Sequence, residues 1–208
     1  MAKKHFKAGD ILAPLPAVMV SCGDKKVKNI ITIAWTGIIN SDPPMTYISV
    51  RKSRYSHDII EKTGEFVINL TTEALAKKTD WAGVKSGRDV DKFKELELTP
   101  VKAKNLSCPM IKECPVNIEC RVTEIRELGS HDMFMAEIVG LNIDEELIDE
   151  KGRFMFENAH LISYVHGEYY GLKSKPLGRF GYSVMKPKTK KRIAREKRDA
   201  VKKGGTKK

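Results

Sequence analysis

The sequence predicts a mainly β protein, a closed barrel of short antiparallel strands with a few short helices. Three observations point there. Strand-length runs of β-branched and aromatic residues recur along the chain, turn residues punctuate them often, and helical periodicity is brief where it occurs. No Gly-x-Gly-x-x-Gly or Walker-type loop is present, so a doubly wound nucleotide-binding sheet has no support. With 208 residues and 41% hydrophobic content, one domain with a sizeable core is expected.

Taken in order, 14–22 reads as a first strand, bounded by Pro16 and by Gly23-Asp24, which with Lys25 and Lys26 turns the chain into a hairpin. The β-branched run Ile30, Ile31, Thr32, Ile33 makes the central strand. Beyond it Pro43 and Pro44 lack backbone donors, which predicts an extended loop out of the sheet before a strand over 45–51. The period then changes. Tyr55, Ile59, Ile60 and the stop at Gly64 suit a short helix over 53–63 capped by Ser53 or Ser56. A strand over 65–70 follows, then a helix over 72–81 with Thr71 or Thr72 as cap.

The charged stretch 82–97 reads as a flap over a site or as a plain surface excursion. A short strand is expected over 99–104 and a clearer one over 115–127, where Val116, Ile118, Cys120 and Val122 alternate with Asn117, Glu119, Arg121 and Thr123 on a wet face. Gly129-Ser130 turns this strand into 131–143, apolar enough for burial on both faces. A short strand piece over 153–156 and a last strand over 161–170 complete the set.

One rim of the central strand gathers polar groups among apolar ones: the amide of Asn29, the hydroxyls of Thr32 and Thr36, and the ring of Trp35. Such a rim suits a flat polar ligand. The helix start beside it, with Arg51 and Arg54, is either a capped helix with solvated arginines or an anion site, since free amides, the helix dipole and guanidinium forks all favour a dianion.

The run Asn29-Ile-Ile-Thr-Ile-Ala-Trp-Thr36, then Asp42-Pro-Pro44, Ile48-Ser-Val-Arg-Lys-Ser-Arg-Tyr-Ser-His57 and Gly64-Glu-Phe-Val-Ile-Asn69 resembles the flavin reductase and flavoredoxin family of FMN-binding split barrels. Gly129-Ser-His131 and Lys175-Pro-Leu-Gly-Arg-Phe-Gly181 are in the same style. The likeness covers about 16–184. It implies a homodimer of six-stranded Greek-key barrels, FMN near the dimer interface, and electrons from NADH, NADPH or a redox protein partner. By the same resemblance, Thr32, Ala34, Trp35 and Thr36 border the isoalloxazine, with Asn29 and Ser49 as further polar contacts. Arg51, Arg54 and Ser56 hold the phosphate. His131 positions the nicotinamide or flavin ring, and Asn69 either contacts the flavin or caps the next helix.

A flavoredoxin-type carrier is the nearest alternative to a reductase, and a nucleic-acid-binding barrel is the alternative from another class. Single-strand binders interleave aromatics with basic residues on the barrel face, whereas here aromatics and charge lie in separate parts of the chain. The net charge of +11 is concentrated: twelve Lys or Arg face only Glu196 and Asp199 over 186–208, so this tail carries +10. The division expected is therefore a barrel over 1–185 and a basic, solvated, partly disordered tail over 186–208, able to touch nucleic acid or an anionic surface. Ile193, Ala200 and Val201 give that tail one weak helical face.

Metal chemistry is not expected. Cys108, Cys114 and Cys120 are spaced by six, not as Cys-x-x-Cys, and none of His5, His57, His131, His160 and His166 falls in a His-Glu-x-x-His pattern. No apolar run approaches the ~20 residues of a membrane span, and the first residues lack a signal-peptide core, so a cytoplasmic protein is expected.

Overall fold

The structure, a computed structural model, describes residues 1–173 and 175–204, the last nine of these as backbone only. It divides into two units, 1–174 and 175–208, so the boundary expected at 185/186 falls inside the second.

In the first unit, β1 (Leu15–Pro16) leads into β2 (Val18–Gly23), β3 (Lys28–Ile33), β4 (Thr36–Ser41) and β5 (Pro44–Val50). Here one expectation is corrected. The chain after Ile33 does not leave as a loop. It bends at Ala34-Trp35 and re-enters as β4, pairing with β5 across a tight turn at Asp42-Pro43. The prolines are accommodated because they sit at the turn and at the first residue of β5, where no ladder donor is needed.

Helix α1 (Tyr55–Thr63) and β6 (Glu65–Leu70) follow, joined through Gly64 at φ 66°, a left-handed helix stop. The N-cap of α1 is Arg54 and makes no side-chain cap bond; Ser56 lies within the helix instead. Nor do the threonines cap. Thr71 Oγ1 donates to the carbonyl of Ala17, and Thr72 precedes a 3₁₀ turn over Glu73–Leu75, after which α2 runs over Ala76–Val84.

The excursion then packs down through α3 (Lys92–Glu95), which buries Lys92 and Phe93. The short pair β7 (Pro100–Lys102) and β8 (Pro109–Ile111) leads to the long hairpin β9 (Val116–Glu127) and β10 (Asp132–Ile143). On β9 the face expected to be wet is covered in its first half: Asn117 and Glu119 are buried. The segment before β8 folds over them, and Glu119 accepts from the amides of Lys104 and Asn105 at 3.1 and 2.7 Å and from Asn142 at 2.8 Å. On β10 only Asp132, Phe134 and Ala136 are buried, so the strand is one-sided rather than buried on both faces. The expected piece at 153–156 reduces to a single bridge, Ile148 to Phe154. The last strand is two, β11 (Ile162–Val165) and β12 (Glu168–Gly171), because His166 and Gly167 take positive φ and turn the chain back.

The main sheet has the order β3-β2-β6-β9-β10-β5-β4, every neighbour antiparallel. Its two edge strands, β3 and β4, are joined by only Ala34 and Trp35, a reach of about 10 Å. The sheet must therefore curl until its edges meet. Counting the bent β3–β4 as one stave gives six, with β6 returning beside β2 after the β2-β3-β5 meander, a Greek key.

Inward side chains form one core: Val18, Val20, Ile31, Ile33, Ile48, Val50, Phe66 and Phe134, with Ile59 and Ile60 of α1 packed against them. A second cluster covers the outside of β2 and β3, where Met19 and Ile30 meet Leu75 and Ala82 of the α2 region and Phe93 of the α3 region. Those helices are thereby held against the outer side of β2 and β3.

The second unit, taken by itself, contains a 3₁₀ turn over Tyr182–Val184 and the helix α4 (Pro187–Gly204). The tail expected to be partly disordered is thus helical over most of its length. Pro187 stands at the helix start, where its missing donor costs nothing, and Lys, Arg, Ala and Glu are good helix formers.

Candidate functional site

Where β3 bends away from β5, the barrel opens into a cleft with two lobes. The first, about 430 Å³, lies among Asn29, Arg51, Arg54, Ser56, Gly87 and Lys92. The second, about 340 Å³, lies among Thr32, Ala34, Trp35, Ser49, His131 and Tyr164. Ile31, Arg51, Arg54 and Gly83 line both, which makes one elongated groove.

The first lobe is basic and lacks counter-ions. Arg51 follows the end of β5 and Arg54 stands at the N-cap of α1, so both guanidiniums are delivered to the helix start. Neither has a hydrogen-bond or ion-pair partner among the described residues. Lys92 is buried and donates Nζ to the carbonyls of Ile30 and Ala82 at 2.8 and 2.6 Å. Burial, reinforced by the charge of Arg54, pulls its pKa down to about 8. The amide of Asn29 donates to Ser56 Oγ at 2.8 Å, and a side chain at Gly87 would collide with Asn29. The glycine allows the loop after α2 to close on this lobe.

The second lobe is aromatic. The Trp35 carbonyl accepts from the amide of Ser49 at 2.9 Å, which fixes the bend and holds the indole beside His131, ring centroids 4.4 Å apart. Burial, then the charges of Arg51 and Arg54, lower the His131 pKa and favour the neutral ring at neutral pH. On the far side, Tyr169 donates to Asp80 of α2 at 3.3 Å; burial and then Asp80 raise its pKa to about 12, so it stays a protonated phenol. Lining neither lobe, His57 Nε2 lies 2.8 Å from Asp132 Oδ2, both residues buried. These two neighbour Ser56 and His131 in sequence, so one contact ties α1 to the start of β10.

Of the residues singled out from sequence, Asn29, Arg51, Arg54 and Ser56 meet in the first lobe, and Thr32, Ala34, Trp35, Ser49 and His131 in the second, with the two arginines common to both. Thr36 does not reach the groove; its hydroxyl donates to the Tyr47 carbonyl at 2.5 Å. Asn69 lies elsewhere, fully buried on β6. Sequence reading missed Lys92, Asp80, Tyr164, Tyr169 and the glycines 83 and 87. The signal available was Gly83 and Gly87 within a charged stretch, since glycines there mark close approach of backbone to something else.

Cys22 lies near this lobe, but burial pushes its thiol up to about 12, so no thiolate nucleophile is on offer. The other three cysteines are buried and shifted upward in the same way.

A model of the flavin reductase like domain matches residues 12–173. The chain belongs to that family. Its barrel superposes on flavoredoxin of Desulfovibrio vulgaris (Miyazaki F) with a TM-score of 0.81 at 30% identity, covering 88% of this chain and all of that one. Flavoredoxin from Methanosarcina acetivorans gives 0.78 at 28% over the same shares. An uncharacterized protein of Archaeoglobus fulgidus is 34% identical over 142 residues, 68% of this chain and 80% of its own length. The family match ends before the second unit begins. Among the described residues no helix is long and apolar enough to cross a membrane.

Proposed function

We propose that this chain binds FMN in the groove and acts as an oxidoreductase that passes electrons from NADH or NADPH through the flavin to an acceptor. The observation that carries the reading is the groove's polarity: two unpaired guanidiniums, a buried ammonium and a helix start at one end, an aromatic and hydroxyl-lined slot at the other. FMN fits that division, with its phosphate dianion at the basic lobe and its ring in the slot. FMN, when bound, supplies the redox chemistry.

The protein's own residues do the rest. Arg51, Arg54 and the first amides of α1, with Ser56, hold the anionic end. Lys92 and Asn29 give the basic lobe further donors. Trp35 and the β3–β4 bend set the slot's width, and Thr32, Ala34 and Ser49 line its edge. His131, its neutral form favoured and its ring tilted against Trp35, positions a second ring against the open face. The exposed Ile38 and Ile39 on β4 support a homodimer with the groove close to its interface.

A flavoredoxin-type carrier, reduced by a protein partner, is the second reading, favoured by the fit to the two flavoredoxins. The test is an absorption spectrum of the purified protein with added FMN, followed by anaerobic NADH and NADPH. The expected result is a perturbed flavin band that bleaches with one of the nucleotides. Bleaching only by a reduced protein donor would assign the carrier role, and absence of FMN binding would sink both readings.

A further inference from the structure

The charge of this protein is partitioned along the line that divides its two units. Residues 175–208 hold fourteen Lys or Arg against Glu196 and Asp199, a net +12, whereas residues 1–174 sum to −1. The excess is arranged as well as concentrated. Within α4, residues 188, 191, 192, 195, 198, 202 and 203 are all Lys or Arg, and at about 100° per residue these positions fall within an arc of about 140° running the length of the helix. Only Asp199 interrupts them. The other positions carry Thr189, Lys190, Ile193, Ala194, Glu196, Lys197, Ala200 and Val201.

We propose that α4 is a polynucleotide-binding arm that lays this basic stripe along a sugar–phosphate backbone without reading sequence. The proposal is independent of the flavin reading. A stripe of about 23 Å, from residue 188 to residue 203, matches a ligand with regularly repeated charge, and neutralising it releases condensed counter-ions. An anionic bilayer is the poorer partner. A helix lying in a membrane interface needs a broad bulky apolar face, and here Ile193 and Val201 are the large aliphatic residues, with Lys190 and Lys197 at neighbouring positions on the wheel. The stripe also repels itself, each like-charged pair at i, i+4 costing about 0.2–0.5 kcal/mol in an isolated helix. A bound phosphate backbone relieves that repulsion and so stabilises α4.

The test uses the full chain, titrated by fluorescence anisotropy with a labelled 20-base-pair duplex and a single-stranded RNA of equal length between 50 and 200 mM salt. Vesicles rich in phosphatidylserine serve as the competing partner. The expected result is binding to both nucleic acids that weakens with salt at a log–log slope of roughly −4 to −6 for the duplex, as several neutralised phosphates require. Two variants of equal net charge decide the geometry. Lys188→Gln/Lys191→Gln on the stripe should lower the slope magnitude by about 2 and weaken binding at least tenfold. Lys190→Gln/Lys197→Gln off the stripe should change affinity less than threefold. Thermal melts followed by circular dichroism should show α4 persisting to higher temperature with nucleic acid bound. Equal losses from both variants would overturn the stripe, and binding to vesicles without binding to nucleic acid would overturn the assignment of partner.

Discussion

Two buried asparagines flank the same strand and behave in opposite ways. Asn69 on β6 and Asn29 on β3 both pair with β2, opposite Met19 and Cys22, and both side chains are almost wholly removed from solvent. The amide of Asn69 is saturated. Its nitrogen donates to the carbonyls of Met19 and Val67 and to Ser21 Oγ, and its oxygen accepts from the Ile111 amide and from Asn117. Asn29 makes one side-chain bond, to Ser56, and borders a lobe whose cations lack anions. A buried polar group whose every valence is met by protein has a structural task; a cluster left with uncompensated charge is built for something that arrives later.

The largest effect should come from breaking the saturated side. Asn69→Ala removes an amide whose two N–H groups and oxygen serve five partners in a dry environment and leaves several of them unmet, an expected loss of about 3 kcal/mol in urea unfolding, with FMN affinity of the folded protein changed less than twofold. Asn29→Ala should cost about 1 kcal/mol of stability and weaken FMN several-fold. A reversal of the two phenotypes would contradict the division drawn between them.

The same contrast explains what could be read from sequence. The Ile30–Ile33 run, the Gly64 stop and the alternation from Val116 onward are local signals, and the elements they predict form. Asn69 and Asn29 carry no such difference: each is an asparagine in or beside a β-branched run, and only the three-dimensional neighbours, Ile111 and Asn117 for one and the α2–α3 region for the other, separate their roles. Lys92 was illegible for a related reason. A lysine in a charged stretch reads as solvated until α3 is seen to press it against Ile30. The β4 strand was misjudged because the two prolines announced a break without saying that it is a two-strand turn. The wet face of β9 failed at Glu119 because its cover comes from a segment about fifteen residues upstream.

On the unsaturated side the expected effects are on binding. Arg54→Gln keeps a polar side chain but shortens it and removes the charge, so FMN should bind about 10- to 30-fold more weakly, in line with the worth of a charge-assisted hydrogen bond. Riboflavin, which lacks the phosphate, should be unaffected, and its affinity in the same titration separates loss of the basic lobe from damage to the slot. A parallel loss for both ligands would move Arg54 out of the phosphate role. The same variant should raise the His131 pKa, read from its imidazole proton shifts, because one of the charges holding it down is gone.

The smallest effect is also the most diagnostic of a site waiting for an anion. Lys92 titrates at about 8 in the folded protein against 10.5 in an unfolded chain. Between those values the unfolded state carries a proton that the folded state lacks, so stability rises with pH across that window, and the cost of the buried charge is fully present below it. The rise amounts to on the order of 1–2 kcal/mol between pH 8 and 10. Lys92→Met should abolish that rise, since a methionine has nothing to titrate, and should leave the protein near its original stability at neutral pH because removing the buried charge offsets the two lost carbonyl bonds. With FMN bound, the phosphate restores the charged form of Lys92 and the wild-type rise should flatten as well. A rise that persists unchanged in both the variant and the complex would show that another group sets it, and would remove Lys92 from the anion's shell.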